Sequence, residues 1–203
     1  MKDTKLLVKK AQNNNLAAFE ELVNIYQNKV FVLCVRLAGN PDDAQDIAQE
    51  AFIKAYRSIG NFRNEADFGT WLHRITVNVW LNYKRKNGGR QILSLDEPYP
   101  VEDGDSMRRE VAAPDGDPLR ELEEKEFRGL VRVALDNLSE EQRAVLVLRE
   151  IEGYSYEEVS RMLGCSMGTV KSRLNRAREM MRRRMFELVK NSGENFSGGR
   201  ERR

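Results

Sequence analysis

The sequence predicts an all-α protein: two small helical domains joined by an extended acidic linker, with a helix-turn-helix in the C-terminal domain. Three observations predict this. Apolar residues recur at helical spacing in both halves, and only five prolines interrupt 203 residues. Between Asn87 and Pro118, Gly88, Gly89, Pro98, Pro100, Gly104, Pro114, Gly116 and Pro118 break any such periodicity. From Ser155 to Glu179 the chain shows two short helices around a tight turn, the second of them basic. The expected organisation is therefore a first domain at 1–86, a flexible linker at 87–118, a second domain at 119–190 and a disordered polar tail at 191–203.

Composition narrows the class further. Hydrophobic residues at 40% and charged residues at 33% describe a soluble, helix-rich chain. No apolar run approaches the roughly 20 residues that cross a bilayer, so no stable membrane insertion is expected. The opening MKDTKLLVKKAQNNN lacks the apolar core of a secretory signal, which implies a cytoplasmic location. Cys34 and Cys165 have neither metal-ligand nor disulfide spacing; Cys34 is expected in the core and Cys165 in a turn. With His73 as its only histidine, no glycine-rich phosphate loop and no nucleophile beside a base, the chain is not expected to be an enzyme or to hold a metal or cofactor.

In chain order, the first predicted helix is apolar-rich, runs from Ala17 to Leu37 and stops near Gly39. A second begins after Asn40, a helix cap, with Pro41 at the first position and Asp42 and Asp43 against the positive end of the helix dipole. Ala44, Ile47, Ala48, Ala51, Phe52, Ala55, Tyr56 and Ile59 form its core stripe. Asp42, Asp46, Gln49, Glu50, Ile53 and Arg57 share the opposite face, which sets one isoleucine among acids and amides. An apolar anchor with a charged rim suits protein docking, although a solvated face with one stray isoleucine fits the same residues.

A polar loop from Asn61 to Thr70 follows. Phe62 and Phe68 lie there beside the hydrogen-bonding groups of Asn61, Arg63, Asn64, Asp67 and Thr70. The helix after it is apolar around much of its circumference and ends in Lys84, Arg85 and Lys86. Aromatic and amide groups next to a basic helix end are the materials for holding unstacked bases. Trp71, Leu72, Ile75 and Val79 belong to packing, with Trp80 and Tyr83 open to either role. The linker beyond has eight Asp/Glu against Arg90, Arg108 and Arg109, a composition whose default is disorder.

The second domain carries the sharpest local signals. Ser155 caps one helix and Glu158 completes a reciprocal capping box. Gly164 closes that helix and Ser166 caps the next. On the second helix, Val170, Leu174, Ala177 and Met181 form an inward stripe with Met167 at its edge. Gly168, Thr169, Ser172, Asn175 and Arg176, flanked by Lys171 and Arg173, face away. That face suits a DNA major groove, where Asn and Arg make bidentate contacts to base edges and Lys or Arg hold phosphates. From Ser166 to Lys190 there are eight Lys/Arg and two Glu, a net +6 in a chain that is +2 overall.

These blocks, in this order, resemble the bacterial sigma factors of the extracytoplasmic-function (ECF) group, which keep only regions 2 and 4 of the sigma-70 family. DDAQDIAQEAFIKAY is similar to that family's core-polymerase-binding helix, and FRNEADFGTWLHRITVNVWLNYKRK to its -10 promoter segment. LSEEQRAVLVLREIEGYSYEEVSRMLGCSMGTVKSRLNRARE resembles its -35-binding domain. The resemblance implies an alternative sigma factor that binds core RNA polymerase, through its clamp coiled coil and flap, and promoter DNA. It further implies that Asp46, Gln49 and Glu50, with Asp42 and Ile53 beside them, dock on polymerase. Asn61, Phe62, Arg63, Asn64, Phe68 and Thr70 would capture a flipped base of the melted -10 element, with Lys84 and Arg85 on DNA. Thr169, Lys171, Ser172, Arg173, Asn175 and Arg176 would read the -35 duplex. The linker would thread toward the polymerase active-site channel, and an anti-sigma factor would hold the protein inactive. Gly69 departs from the group's frequent basic or larger residue. The competing readings are a helix-turn-helix regulator acting without core polymerase and an enzyme fused to a DNA-binding domain.

Overall fold

The computed structural model describes residues 3–63, 66–87 and 118–197; the expected linker, apart from its terminal Asn87 and Pro118, lies outside them. The chain divides into two compact units, Met1–Glu110 and Val111–Arg203. Every regular element among the described residues is helical.

The first unit opens with a helix beyond those expected from sequence, α1 at Thr4–Gln12. Its signals are weak but present: Asp3 caps it by accepting the Lys5 N–H at 3.0 Å, and Leu7, Val8 and Ala11 are buried at helical spacing. Asn14 turns the chain with a φ of 62°, a left-handed conformation that asparagine tolerates better than most residues. Asn15 then caps α2, Leu16–Ala38, by accepting the Ala18 N–H at 2.9 Å. α3 spans Pro41–Ser58, and Asn40 accepts the Asp43 N–H at 2.8 Å as its cap. A single 3-10 turn, Ile59–Asn61, leads out of it, and α4 runs Phe68–Asn87. α2, α3 and α4 pack on one another and α1 lies against α2. Leu22, Val30, Leu33, Leu37, Ile47, Leu72, Val77 and Trp80 fill the centre, with Cys34 among them. Burial pushes the Cys34 thiol up to about 12, so it behaves as a small apolar core residue.

The second unit comprises α5 (Pro118–Asp136), α6 (Glu140–Leu146), a π-helical turn (Val147–Ile151), α7 (Tyr156–Leu163) and α8 (Met167–Ser197). Ser139 and Gln142 form a second capping box at α6. The π turn is closed by the Glu152 N–H on the Val147 carbonyl at 3.0 Å. Ala144, Val145, Val147, Leu148, Val159, Val170, Leu174 and Ala177 make the core.

At the C-terminus, α8 continues to Ser197, so the tail expected from residue 191 is helical for its first seven residues. Gly193 alone does not end the helix: it costs about 1 kcal/mol relative to alanine, and no proline follows to enforce a stop.

Candidate nucleic-acid and polymerase interfaces

In the second unit, the helix-turn-helix is assembled by contacts between near neighbours. The Glu158 N–H donates to Ser155 Oγ at 3.2 Å while the Ser155 N–H donates to Glu158 Oε2 at 2.8 Å. The backbone hydrogen bond from Ser155 is the main reason that the Glu158 carboxyl is held below its ordinary value. Gly164 takes φ 62°, which glycine adopts without the steric cost of a Cβ, and closes α7. Ser166 Oγ then accepts the Thr169 N–H at 3.1 Å and starts α8.

The expected faces of α8 are observed. Val170, Leu174 and Ala177 are buried, Met181 is half-buried, and Lys171, Ser172, Asn175 and Arg176 are exposed. Thr169 and Arg173 are half-buried, and the Thr169 hydroxyl shares a 2.9 Å hydrogen bond with Ser166 Oγ. Two groups outside the expected site hold this surface. The Tyr156 ring has the Lys171 ammonium 5.7 Å from its centroid and the Arg149 guanidinium at 4.9 Å. Arg149 also donates to the Tyr154 carbonyl at 2.9 Å. An aromatic immediately after the capping serine was the available sequence signal. The cations of α8 are not equally available: Arg178 pairs with Glu150 at 2.6 Å and Arg184 with Glu187 at 3.1 Å.

On the first unit, α3 presents Asp42, Asp46, Gln49 and Glu50 to solvent, with Ile53 39% exposed among them. Glu50 pairs with Lys54 one turn on at 3.2 Å, an exposed contact worth only about 0.3–0.5 kcal/mol that leaves the carboxylate open to a partner. The opposite stripe is narrower than expected. Ala44, Ile47, Ala48, Ala51, Ala55 and Ile59 are buried, but Phe52 is half-buried and Tyr56 is 43% exposed. Tyr56 lies at the stripe's edge, its ring 5.0 Å from Phe19 in an edge-on pair, which leaves part of the ring in water. Asp43 ties this helix to the next: Tyr83 Oη donates to its Oδ1 at 2.6 Å, and Asn40 Nδ2 donates to its Oδ2 at 3.0 Å. The Tyr83 phenol is pushed up to about 12, chiefly by that bond to the carboxylate.

The loop between α3 and α4 requires a correction. Phe62 and Phe68 were expected among the DNA-holding residues, but they are 7% and 4% exposed. Their centroids are 6.0 Å apart; Trp71 packs against them in tilted pairs at 4.9 and 5.5 Å, and Tyr26 meets Phe68 edge-on at 5.2 Å. Aromatic rings gain more from closing a core than from standing in water, so these two shape the loop from inside and present no open ring face to a base. Asn61 and Arg63 are exposed on either side of Phe62. Thr70 is half-buried in the first turn of α4, and Asn64 lies outside the described residues. At the far end of α4, Lys84 is half-buried and Arg85 exposed. Gly69 has a local reason: a Cβ there would come within 3.0 Å of both Asp67 Oδ2 and Tyr26 Cε1, while its N–H donates to Asp67 Oδ2 at 2.9 Å. The expected residues thus fall into four groups: on one unit the face of α3, the loop before α4, and the basic end of α4, which the helix sets about 24 Å from that loop, and on the other the outer face of α8.

No described helix is long and apolar enough to cross a membrane, and no metal-binding cluster occurs among the described residues. Comparison with known proteins supplies the rest. Residues 22–90 match Sigma-70 region 2 and residues 128–181 match Sigma-70, region 4. The RNA polymerase sigma-H factor of Pseudomonas aeruginosa is 39% identical over 189 residues, 91% of this chain and 94% of that protein. The ECF RNA polymerase sigma-E factor of Haemophilus influenzae is 40% identical over 90% of this chain and 95% of its own length. The fold is shared with the sigma factor RpoE solved in complex with the anti-sigma factor NepR from Bartonella quintana: TM-score 0.60, 24% identity, covering 82% of this chain and 96% of that one. It is shared too with CnrH in complex with the cytosolic domain of CnrY, at TM-score 0.57 and 24% identity over 93% and 99% of the two chains. With both regions in order and close relatives matched along nearly their whole length, this chain belongs to the ECF group of sigma-70 family RNA polymerase sigma factors.

Proposed function

We propose that this protein is an alternative sigma factor that binds core RNA polymerase and directs promoter-specific initiation, working by recruitment and without catalysis of its own. The observation that carries this reading is similarity to RNA polymerase sigma factors along nine-tenths of the chain. It is joined to an outward face on α8 whose exposed residues are small, hydrogen-bonding or cationic. In this reading, Asp42, Asp46, Gln49, Glu50 and Ile53 dock on the polymerase clamp, and a flap contact falls to the second unit. Ser172, Asn175 and Arg176 read -35 base edges while Lys171 and Arg173 hold phosphates, and Thr169 helps fix the start of the helix. Asn61, Arg63, Asn64 and Thr70, backed by the buried Phe62 and Phe68, hold an unstacked base of the melted -10 strand, with Lys84 and Arg85 on the backbone. Extruding that base costs a few kcal/mol, which the loop offsets by binding it outside the stack. The domain limits follow the same division, at 1–86 and 119–190 about the linker. A cytoplasmic location and an anti-sigma partner belong to this reading as well. A regulator acting without polymerase is not favoured, because region 2 would then have no role.

The test is reconstitution. Purified core polymerase plus this chain is expected to yield promoter-specific transcripts from genomic fragments, and no transcript from any fragment would overturn the assignment. Glu50→Lys is expected to weaken core binding while leaving the -35 duplex contact of the free chain unchanged; unchanged core affinity would remove α3 as the docking face.

A further inference from the structure

The helix α1 does more than cover α2. Gln12, its last residue, extends its side-chain amide across to the exit of α3, where Nε2 donates to the Phe62 carbonyl at 2.7 Å and to the Ile59 carbonyl at 3.2 Å. Those two carbonyls bracket Gly60 and Asn61, and the Phe62 N–H closes the same 3-10 turn on Ile59 at 3.0 Å. One –NH2 group has two protons, and here both acceptors belong to the backbone of the turn that starts the loop. Gln12 is itself well placed: the Asn13 and Asn15 N–H groups both donate to the Lys10 carbonyl, at 3.0 and 3.2 Å, and fix the end of α1.

We propose that Gln12 is a positioning residue for -10 recognition, holding from α1 the backbone turn that carries Asn61 and leads into Arg63. This rests on the sigma-factor reading above. The physical argument is one of constraint. Asn61 and Arg63 are exposed and flank a buried ring, so their side chains gain no rigidity from packing of their own. The buried side chains of Ile59 and Phe62 anchor the turn from the inside at its two ends, but side-chain packing leaves the main chain between them some freedom to tilt. Two hydrogen bonds to the main chain on either side of Asn61 remove that freedom. A base-capturing loop discriminates only as well as its donors and acceptors are held in place.

The probe is a fork-junction DNA library whose single-stranded non-template segment is randomised, bound by holoenzyme made from purified core polymerase and the full chain, and sequenced after retention. Wild-type holoenzyme is expected to enrich one defined sequence in that segment. Gln12→Ala, and the shape-conserving Gln12→Glu that replaces the donors with an acceptor, are expected to flatten the enrichment by about five- to tenfold. Their affinity for core polymerase should stay within twofold of wild type, which also shows that the first unit is folded. Gln12→Arg restores donors and is expected to recover part of the enrichment. No enrichment by wild-type holoenzyme would sink the sigma-factor reading itself. Enrichment by wild type that both donor-less variants match would overturn the role of Gln12 alone. Loss of core affinity together with enrichment would reduce Gln12 to a general stability residue and overturn the proposal too.

Discussion

The two surfaces proposed to meet DNA are held in place by contacts of different range. Around the turn between α7 and α8, the organising bonds connect residues three apart: Ser155 with Glu158, and Ser166 with Thr169. Around the loop between α3 and α4 they span 47 and 50 residues, from Gln12 to Ile59 and Phe62, and a ring cluster reaches back to Tyr26. α8 therefore has its start set by its own sequence, whereas the loop has a defined position only once α1, α2 and α4 are assembled. Damage to the first unit's core should be felt at the loop; damage to one cap should remain local.

The largest expected effect breaks this contrast if it spreads. Trp80 is fully buried between the helices of the first unit, and Trp80→Ala should cost about 3–5 kcal/mol in denaturant unfolding of that unit. Hydrogen exchange in α7 and α8 should not change; equal deprotection there would mean that the two units do not unfold separately. A smaller effect sharpens the second half. Arg176→Ala should reduce -35 discrimination by about 1–3 kcal/mol with core binding intact, whereas equal losses on every sequence would mark a phosphate contact instead.

Smaller again is the cap. Ser155→Ala should destabilise the second unit by about 1 kcal/mol, read as faster exchange of the Glu158 amide, with no effect at the loop. The smallest depends on pH. Glu158 is held below its ordinary 4.5, so the unfolded chain takes up its proton first. Its contribution is present above pH 4.5 and is lost as the pH falls through the folded value. Glu158→Gln keeps an acceptor that does not titrate, so the stability of wild type relative to this variant should decline on acidification. A constant difference from pH 6 to pH 3 would mean that the bond to Ser155 does not govern the carboxyl.

Much of the fold was legible for a reason that these contacts make plain. Caps at Asn40, Ser155 and Ser166 and the stop at Gly164 satisfy backbone groups within a turn of themselves, so residue type and spacing alone reveal them. The α8 faces were legible for the same reason, since a helix that is capped at a known residue has a known phase. What escaped was set by competition for space. The aromatic residues of the loop have the polar neighbours of an exposed segment, yet the first unit needs their rings to close its core, and Phe62 and Phe68 turn inward. α1 has only three buried residues and no long apolar stripe, so its signal is faint until α2 is there to receive it. Val77 and Thr76 are buried in α4 although the sequence marked neither, because that helix is enclosed on more than one side by α2 and α3.

The sequence by itself determined that this is a helical protein with a helix-turn-helix whose second helix turns a polar, basic face outward and with an acidic outward face on α3, because periodicity and capping are properties of neighbouring residues. Tertiary structure alone decided which of the loop's side chains remain outside, that Asp43 bonds Tyr83 across α3 and α4, and that a glutamine at the end of α1 grips the turn beside Asn61. Those pairings join residues 40 to 50 positions apart, and no local pattern encodes them. They exist because the helices of the first unit close on one another to bury Trp80 and, about three turns away along α4, the cluster of Phe62, Phe68 and Trp71, and the polar groups carried along then find their partners there.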